Sequence, residues 1–189
     1  NAVPLGVGGM AAVLGLSYKD VGALVEACSN DKDVCVAAND NSDGQVVLSG
    51  SMTAIDRAVE IAAEFGARKC VKLAVSAPFH SPFMRPAADA MARAFMDVKA
   101  HDAEIPLVAN VLAEPITDHK EIIKHLIEQV TGTVRWRETM AYLQEQGVTD
   151  LVELGAGKVL SGIAKRSHKE MNAFSVGSVE DIEELAKNL

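Results

Sequence analysis

The run Val75-Ser76-Ala77-Pro78-Phe79-His80-Ser81-Pro82-Phe83-Met84-Arg85-Pro86-Ala87-Ala88-Asp89 sets an imidazole among prolines, after an alternating apolar segment and ahead of an amphipathic helix. Imidazole titrates near neutrality, and general acid–base chemistry needs such a group held on rigid elements. The flanking prolines restrict the turn. The following helix N-terminus favours the neutral ring that a base requires. A plain turn, in which His80 does no chemistry, fits the same residues.

Other patterns fail on context. Gly6-Val7-Gly8-Gly9-Met10-Ala11 matches a relaxed dinucleotide fingerprint but leads into a strand, whereas that fingerprint must follow a strand and open a helix. Gly155-Ala156-Gly157-Lys158 resembles the end of a phosphate loop, yet position 152 is Val and no Ser or Thr follows the lysine. Its glycines suit a tight strand-to-helix turn. His119 and His125 lie six apart, with no H-E-x-x-H and no paired carboxylates around them, so no metal centre is expected. Cys28, Cys35 and Cys70 form no C-x-x-C pair and read as reduced, mostly buried thiols of a cytoplasmic protein.

The elements that must position His80 follow from periodicity and caps. A strand is expected over Gly9–Gly15 and a helix over Ser17–Ser29, with Ser17 as N-cap. Strands over Val34–Ala38 and Gln45–Ser49 flank a polar loop, Asn39 to Gly44, that ends in Asp-Gly. A helix over Ser51–Phe65 stops at Gly66, and a strand over Lys69–Val75 puts Val71, Leu73 and Val75 on one side. The order βαββαβ is a ferredoxin-like unit, residues 6–75.

From 76 to 189 helices alternate with single strands. Ser81 and Pro82 suit N-cap and N1 of a helix with Phe83, Ala87, Ala88, Met91 and Phe95 on one stripe. Pro106–Val111 reads as a short buried strand, and Asp118 with Glu121 as a capping box. Further helices are expected over Arg135–Gln146, Val159–Ser167 and Ser178–Asn188, with a buried strand at Leu151–Leu154. This alternation implies a parallel α/β sheet, which needs both faces covered and more strands than these. The missing strands are expected from upstream sequence.

At 189 residues the chain can bury a real core, 49% of it is hydrophobic, and only 4% is aromatic. A formal charge of −8 argues against nucleic acid or an anionic membrane as partner. No apolar run approaches a membrane span and no signal peptide is present. Asn1 is an unusual first residue and suggests a trimmed or partial chain. Lys158, Lys165, Arg166 and Lys169 concentrate positive charge within this acidic background; a solvated helix face is the plain reading.

The histidine run through Asp89 closely resembles the histidine motif of malonyl-CoA:acyl carrier protein transacylases, within the acyltransferase family of fatty-acid and polyketide synthesis. The resemblance extends to Gly44-Gln45-Val46-Val47-Leu48-Ser49-Gly50, Asn110, Gln129, Val134-Arg135-Trp136 and Glu153-Leu154-Gly155-Ala156-Gly157-Lys158-Val159-Leu160. It implies that residues 76–189 are the C-terminal part of a large, parallel α/β hydrolase-like acyltransferase domain whose N-terminal part is absent. It implies transfer of malonyl from malonyl-CoA to the phosphopantetheine thiol of acyl carrier protein, through a malonyl-serine, in fatty-acid synthesis, with no cofactor beyond these substrates. His80 would be the base and Gln129 its support through the backbone carbonyl. Phe79 and Asn110 would line the substrate pocket, Phe79 in the malonyl-selecting form. Lys158, Lys165 and Arg166 would dock the acidic carrier. The family's serine sits in a G-x-S-x-G elbow upstream of the histidine, and no such elbow occurs in these 189 residues. The chain alone is therefore expected to be inactive, with the missing N-terminal segment as a required partner. The alternative is a non-catalytic, ferredoxin-like module that binds a ligand or protein partner.

Overall fold

The computed structural model describes residues 3, 4, 6–75 and 77–187. Ser76 of the histidine run and the expected end of the last helix at Asn188 lie outside them. The chain divides into two compact units, residues 1–139 and 140–189, so the boundary expected at 75/76 falls inside the first.

The first unit begins with β1 (Gly8–Leu14), α1 (Tyr18–Cys28), β2 (Cys35–Ser42), β3 (Gln45–Ser51), α2 (Met52–Ile61) and β4 (Lys69–Lys72). Ser17 caps α1 by accepting from the Asp20 N–H, and Ser51 caps α2 by accepting from Ala54. A 3-10 turn, Ala62–Phe65, prolongs α2 and ends at Gly66, whose φ of 91° is the left-handed conformation that glycine adopts freely. The four strands form an antiparallel sheet in the order β2-β3-β1-β4. Alternation sends Ala11, Val13, Val46 and Leu48 to the side where Val21, Leu24, Ile55 and Ala58 of the helices pack. Met10, Ala38 and Val47 cluster separately.

Two expectations fail here. The polar stretch from Asn39 is not a loop: β2 continues to Ser42, leaving the two-residue turn Asp43-Gly44, where Gly44 has a φ of 74°. Asp40 belongs in the strand because its carboxylate, 1% exposed, accepts from Arg137 Nε at 2.9 Å. The bulges at Ala37/Asn39 and Asp40/Ser42 re-aim these residues, and Asn39 bridges in parallel to Val134. The second failure is β4, which stops at Lys72. Val71, Leu73 and Val75 are 37–41% exposed, because β4 is an edge strand and nothing described covers that side.

After the histidine turn come α3 (Arg85–Phe95), β5 (Leu107–Val108), β6 (Pro115–Ile116), α4 (His119–Glu128) and α5 (Trp136–Glu145). The buried strand expected over Pro106–Val111 is only the two-residue β5, paired antiparallel with β6 and partly exposed. Asp118 accepts from Lys120 N and Glu121 N and so caps α4. Glu121 turns instead to Lys124, with 2.9 Å between Nζ and Oε2, so the reciprocal half of the expected box is replaced by an ion pair.

The second unit holds the end of α5, then β7 (Asp150–Leu154), α6 (Val159–Ser167), β8 (Asn172–Val176) and α7 (Val179–Leu185). β7 and β8 pair in parallel, and β8 is a strand the periodicity did not reveal. β7 is not buried: Val152 is 39% and Leu154 78% exposed. Ser178 and Asp181 form a complete capping box on α7. No described helix is long and apolar enough to cross a membrane.

Candidate active site

His80 sits in a braced turn. Ser81, fully buried, donates its hydroxyl to the Pro78 carbonyl at 2.6 Å, and Phe79 N donates to Ala77 O at 3.0 Å. Ser81 therefore braces the turn and does not cap a helix with its side chain. A 3-10 turn, Pro82–Met84, follows before α3 starts at Arg85. The buried Pro78 ring lies directly over Gly8 of β1, where a β-carbon would stand 2.4 Å from Pro78 Cγ. The decoy glycine run thus has a structural purpose: it lets the histidine turn approach the sheet.

Within this turn His80 adopts φ 56°, a left-handed conformation that costs a non-glycine residue about 1–2 kcal/mol. The strain is matched by a directed contact: His80 Nδ1 lies 2.7 Å from the Gln129 backbone oxygen. A carbonyl only accepts, so Nδ1 carries the proton and the neutral ring keeps its lone pair on Nε2. Among the described residues nothing hydrogen-bonds Nε2. Gln129 is the C-cap of α4, and its carbonyl belongs to the negative end of that helix. The ring therefore faces a helix C-terminus. Sequence reading placed only the opposite pole of another helix beside it.

Asn110 joins this group. Its Nδ2 donates to Gln129 Oε1 at 2.7 Å, and both residues line a small cavity of about 100 Å³ with Leu107, Ile122 and His125. In the sequence His125 was weighed only as a metal ligand and not for its own carboxylate partners. It is buried, with Nδ1 2.7 Å from Glu128 and Nε2 3.5 Å from Glu121, and the carboxylates three residues after and four before it were the available signal. Phe79 is 41% exposed and does not line this cavity.

The basic residues lie in the second unit. Lys158 precedes α6, while Lys165 and Arg166 occupy its last turn, where cations suit the helix dipole. Lys158 and Lys165 share one depression with Phe174, Asp181 and Glu184; Lys165 and Lys169 share another with Met171 and Asn172. Arg166 lines neither. The glycine turn before α6 has φ 127° at Gly155 and 98° at Gly157. Its helix N-terminus is taken by Glu153, which accepts from Leu160 N, Ser161 N and Ser161 Oγ at 2.7–3.1 Å. The Ser161 hydroxyl foremost, with those N–H groups, holds the Glu153 carboxyl below its ordinary range. A carboxylate already fills the place a phosphate would need.

Among the described residues, Asp102, Asp118 and His119 bring ligand atoms within 4.8 Å of one another. Asp118 is engaged as the α4 cap, and Asp102 accepts from His119 N at 3.0 Å. The positive end of α4 opposes a cation there.

Residues 3–186 match the acyl transferase domain family. The chain belongs to that family. The chain is 37% identical over 183 residues to the malonyl CoA-acyl carrier protein transacylase of Bacillus subtilis, covering 97% of this chain and 58% of that protein. The acyl-carrier-protein-S-malonyltransferase of Bartonella henselae superposes with a TM-score of 0.91 at 45% identity, covering 99% of this chain and 59% of that one. A malonyl-transacylase solved in complex with a type II PKS acyl-carrier protein gives 0.92 at 32% identity, covering 100% and 60%. The chain thus spans about three fifths of the relatives it matches. Its mixed α/β fold is theirs.

Proposed function

We propose that this chain supplies the histidine base of a malonyl-CoA:acyl carrier protein transacylase. One observation carries the reading: a strained, braced His80 whose Nδ1–H is fixed by the Gln129 carbonyl, leaving Nε2 as a base. In the proposed reaction a serine oxygen attacks the malonyl thioester as its proton passes to His80 Nε2, and the C–S bond breaks with that proton leaving on the thiol of coenzyme A. The carrier's phosphopantetheine thiol then gives its proton to Nε2 as its sulfur bonds the malonyl carbonyl, and the serine oxygen leaves with that proton. Neither a metal nor a further cofactor takes part, and the setting is cytoplasmic fatty-acid synthesis.

In this reading the serine, and the strands that complete the parallel sheet, come from sequence outside this chain, which covers 58–59% of two of its relatives. Exposed apolar residues support that reading in each unit: Val71, Leu73 and Val75 in the first, Leu154 and Val159 in the second. The strand order β2-β3-β1-β4 supports reading residues 6–75 as a ferredoxin-like subdomain, with 76–189 as the C-terminal part of the large one. Phe79 and Asn110 are assigned to the substrate pocket, and Lys158, Lys165 and Arg166 to carrier docking.

The test is malonyl transfer to carrier protein, read by intact mass. The 189-residue chain alone should transfer nothing. Joined to the N-terminal segment of a relative it should transfer malonyl, and His80→Ala should lower that rate by about 10²–10⁴-fold. Transfer by the chain alone, or indifference to His80→Ala, would refute the proposal.

A further inference from the structure

The bond between Asn110 and Gln129 takes no part in the proton transfers above, yet it holds the residue on which the base depends. Gln129 ends a ten-residue helix, where helices fray. Asn110 is better anchored. Its carbonyl accepts from Arg135 N at 2.8 Å, and the Arg135 side chain donates to Leu112 O and, through Nε at 2.9 Å, to Glu138. From this fixed point Asn110 reaches across 19 residues of sequence to the Gln129 side chain.

We infer that Asn110 is a positioning residue for the base. By tying the Gln129 side chain to the Arg135-braced segment, it holds the α4 terminus so that the Gln129 carbonyl keeps His80 in the Nδ1–H form. A neutral imidazole has two tautomers, and only the one with a bare Nε2 accepts a proton there. If the carbonyl wanders, the other tautomer gains population and the base is lost without any change at His80. This goes beyond a pocket-lining assignment for Asn110 and rests on the reading of His80 as the base.

The experiment is ¹⁵N NMR of the 189-residue chain labelled at histidine, with the His80 tautomer ratio as the readout. Three single variants are compared with wild type. Asn110→Ala removes the donor. Gln129→Met removes the side-chain acceptor but keeps the backbone carbonyl, and Gln129→Glu keeps an acceptor for Asn110. Asn110→Ala and Gln129→Met should each move the ratio roughly fivefold towards the Nε2–H form, consistent with loss of one hydrogen bond. Their double variant should move it no further, and Gln129→Glu should stay near wild type. Folded Asn110→Ala and Gln129→Met chains whose ratios lie within about twofold of wild type would overturn the inference, since an effect that small is less than one ordinary hydrogen bond. If Asn110→Ala does not fold, Gln129→Met decides between the same outcomes. A purely structural role would lower stability and leave the ratio alone. The spectrum reads the ring whether or not malonyl is transferred, so a failed transfer assay and an unmoved tautomer ratio point to different errors.

Discussion

Replacing Gly8 with alanine tests whether β1 holds the histidine turn in place. A β-carbon there would stand 2.4 and 2.8 Å from Pro78 Cγ and Cβ, and 2.9 Å from the Gly50 carbonyl oxygen. Ordinary contact begins at 3.4 Å, so the Pro78 ring must retreat by about 1 Å. It cannot rotate aside as a flexible side chain would, because the ring is closed on its own backbone, and its carbonyl is held by Ser81. Overpacking of this kind costs about 1–3 kcal/mol. His80 lies two residues on, and a shift of that size stretches its 2.7 Å contact with Gln129 beyond hydrogen-bonding range. In a completed enzyme a misplacement of about 1 Å lowers the rate by about 100-fold. Urea unfolding measures the stability term and the His80 tautomer ratio the positional one. Gly22→Ala is the control: a β-carbon there meets nothing within 4 Å, so it should leave His80 untouched. A Gly8→Ala chain within about 0.5 kcal/mol of wild type, with an unchanged tautomer ratio, would refute the reasoning.

Other perturbations read other parts of the molecule. Arg137→Met strands the Asp40 carboxylate, which is 1% exposed, and should cost about 3–5 kcal/mol in urea unfolding. Adding Asp40→Asn should return much of that loss. Glu153 has a folded-state pKa below its unfolded one, so its contribution is present above the unfolded value and fades as pH falls through the folded value. Glu153→Gln should therefore speed amide exchange in α6 at neutral pH, with the difference from wild type closing in acid. Phe79→Ser, in the completed enzyme, should relax discrimination against methylmalonyl-CoA by an amount worth about 1–3 kcal/mol in the ratio of kcat/KM values. Charge reversal at Lys165 and Arg166 should raise the KM for carrier protein and leave that for malonyl-CoA unchanged.

The helices were legible because their signals are local. Ser17, Ser51, Asp118 and Ser178 sit where they cap, and Gly66 and Gly147 take positive φ where helices end. The βαββαβ order was legible for the same reason. What escaped depends on distant partners. Asp40 is polar and looks like loop until Arg137, 97 residues later, is brought to it. Val71, Leu73 and Val75 alternate as a buried face would, but alternation does not say whether anything lies on that face. Family resemblance pointed to a contact between His80 and the Gln129 carbonyl, and that contact is present. The φ of His80, the Ser81 brace and the link from Asn110 to Gln129 were not legible, since each is a property of folded geometry.

The acceptor that orients His80 is a main-chain oxygen, and this bears on how the site will look to genetics. A carboxylate orienting a histidine can be deleted by one codon change. A backbone carbonyl is present whatever residue is encoded at position 129, so no substitution there removes it. Saturation mutagenesis should find position 80 intolerant and position 129 graded, with severity following how far each new side chain loosens the α4 terminus. With His80 as the proposed base, selective pressure at 129 would report the side chain's grip on Asn110, and the main-chain oxygen that orients the ring would leave no trace in the coding sequence.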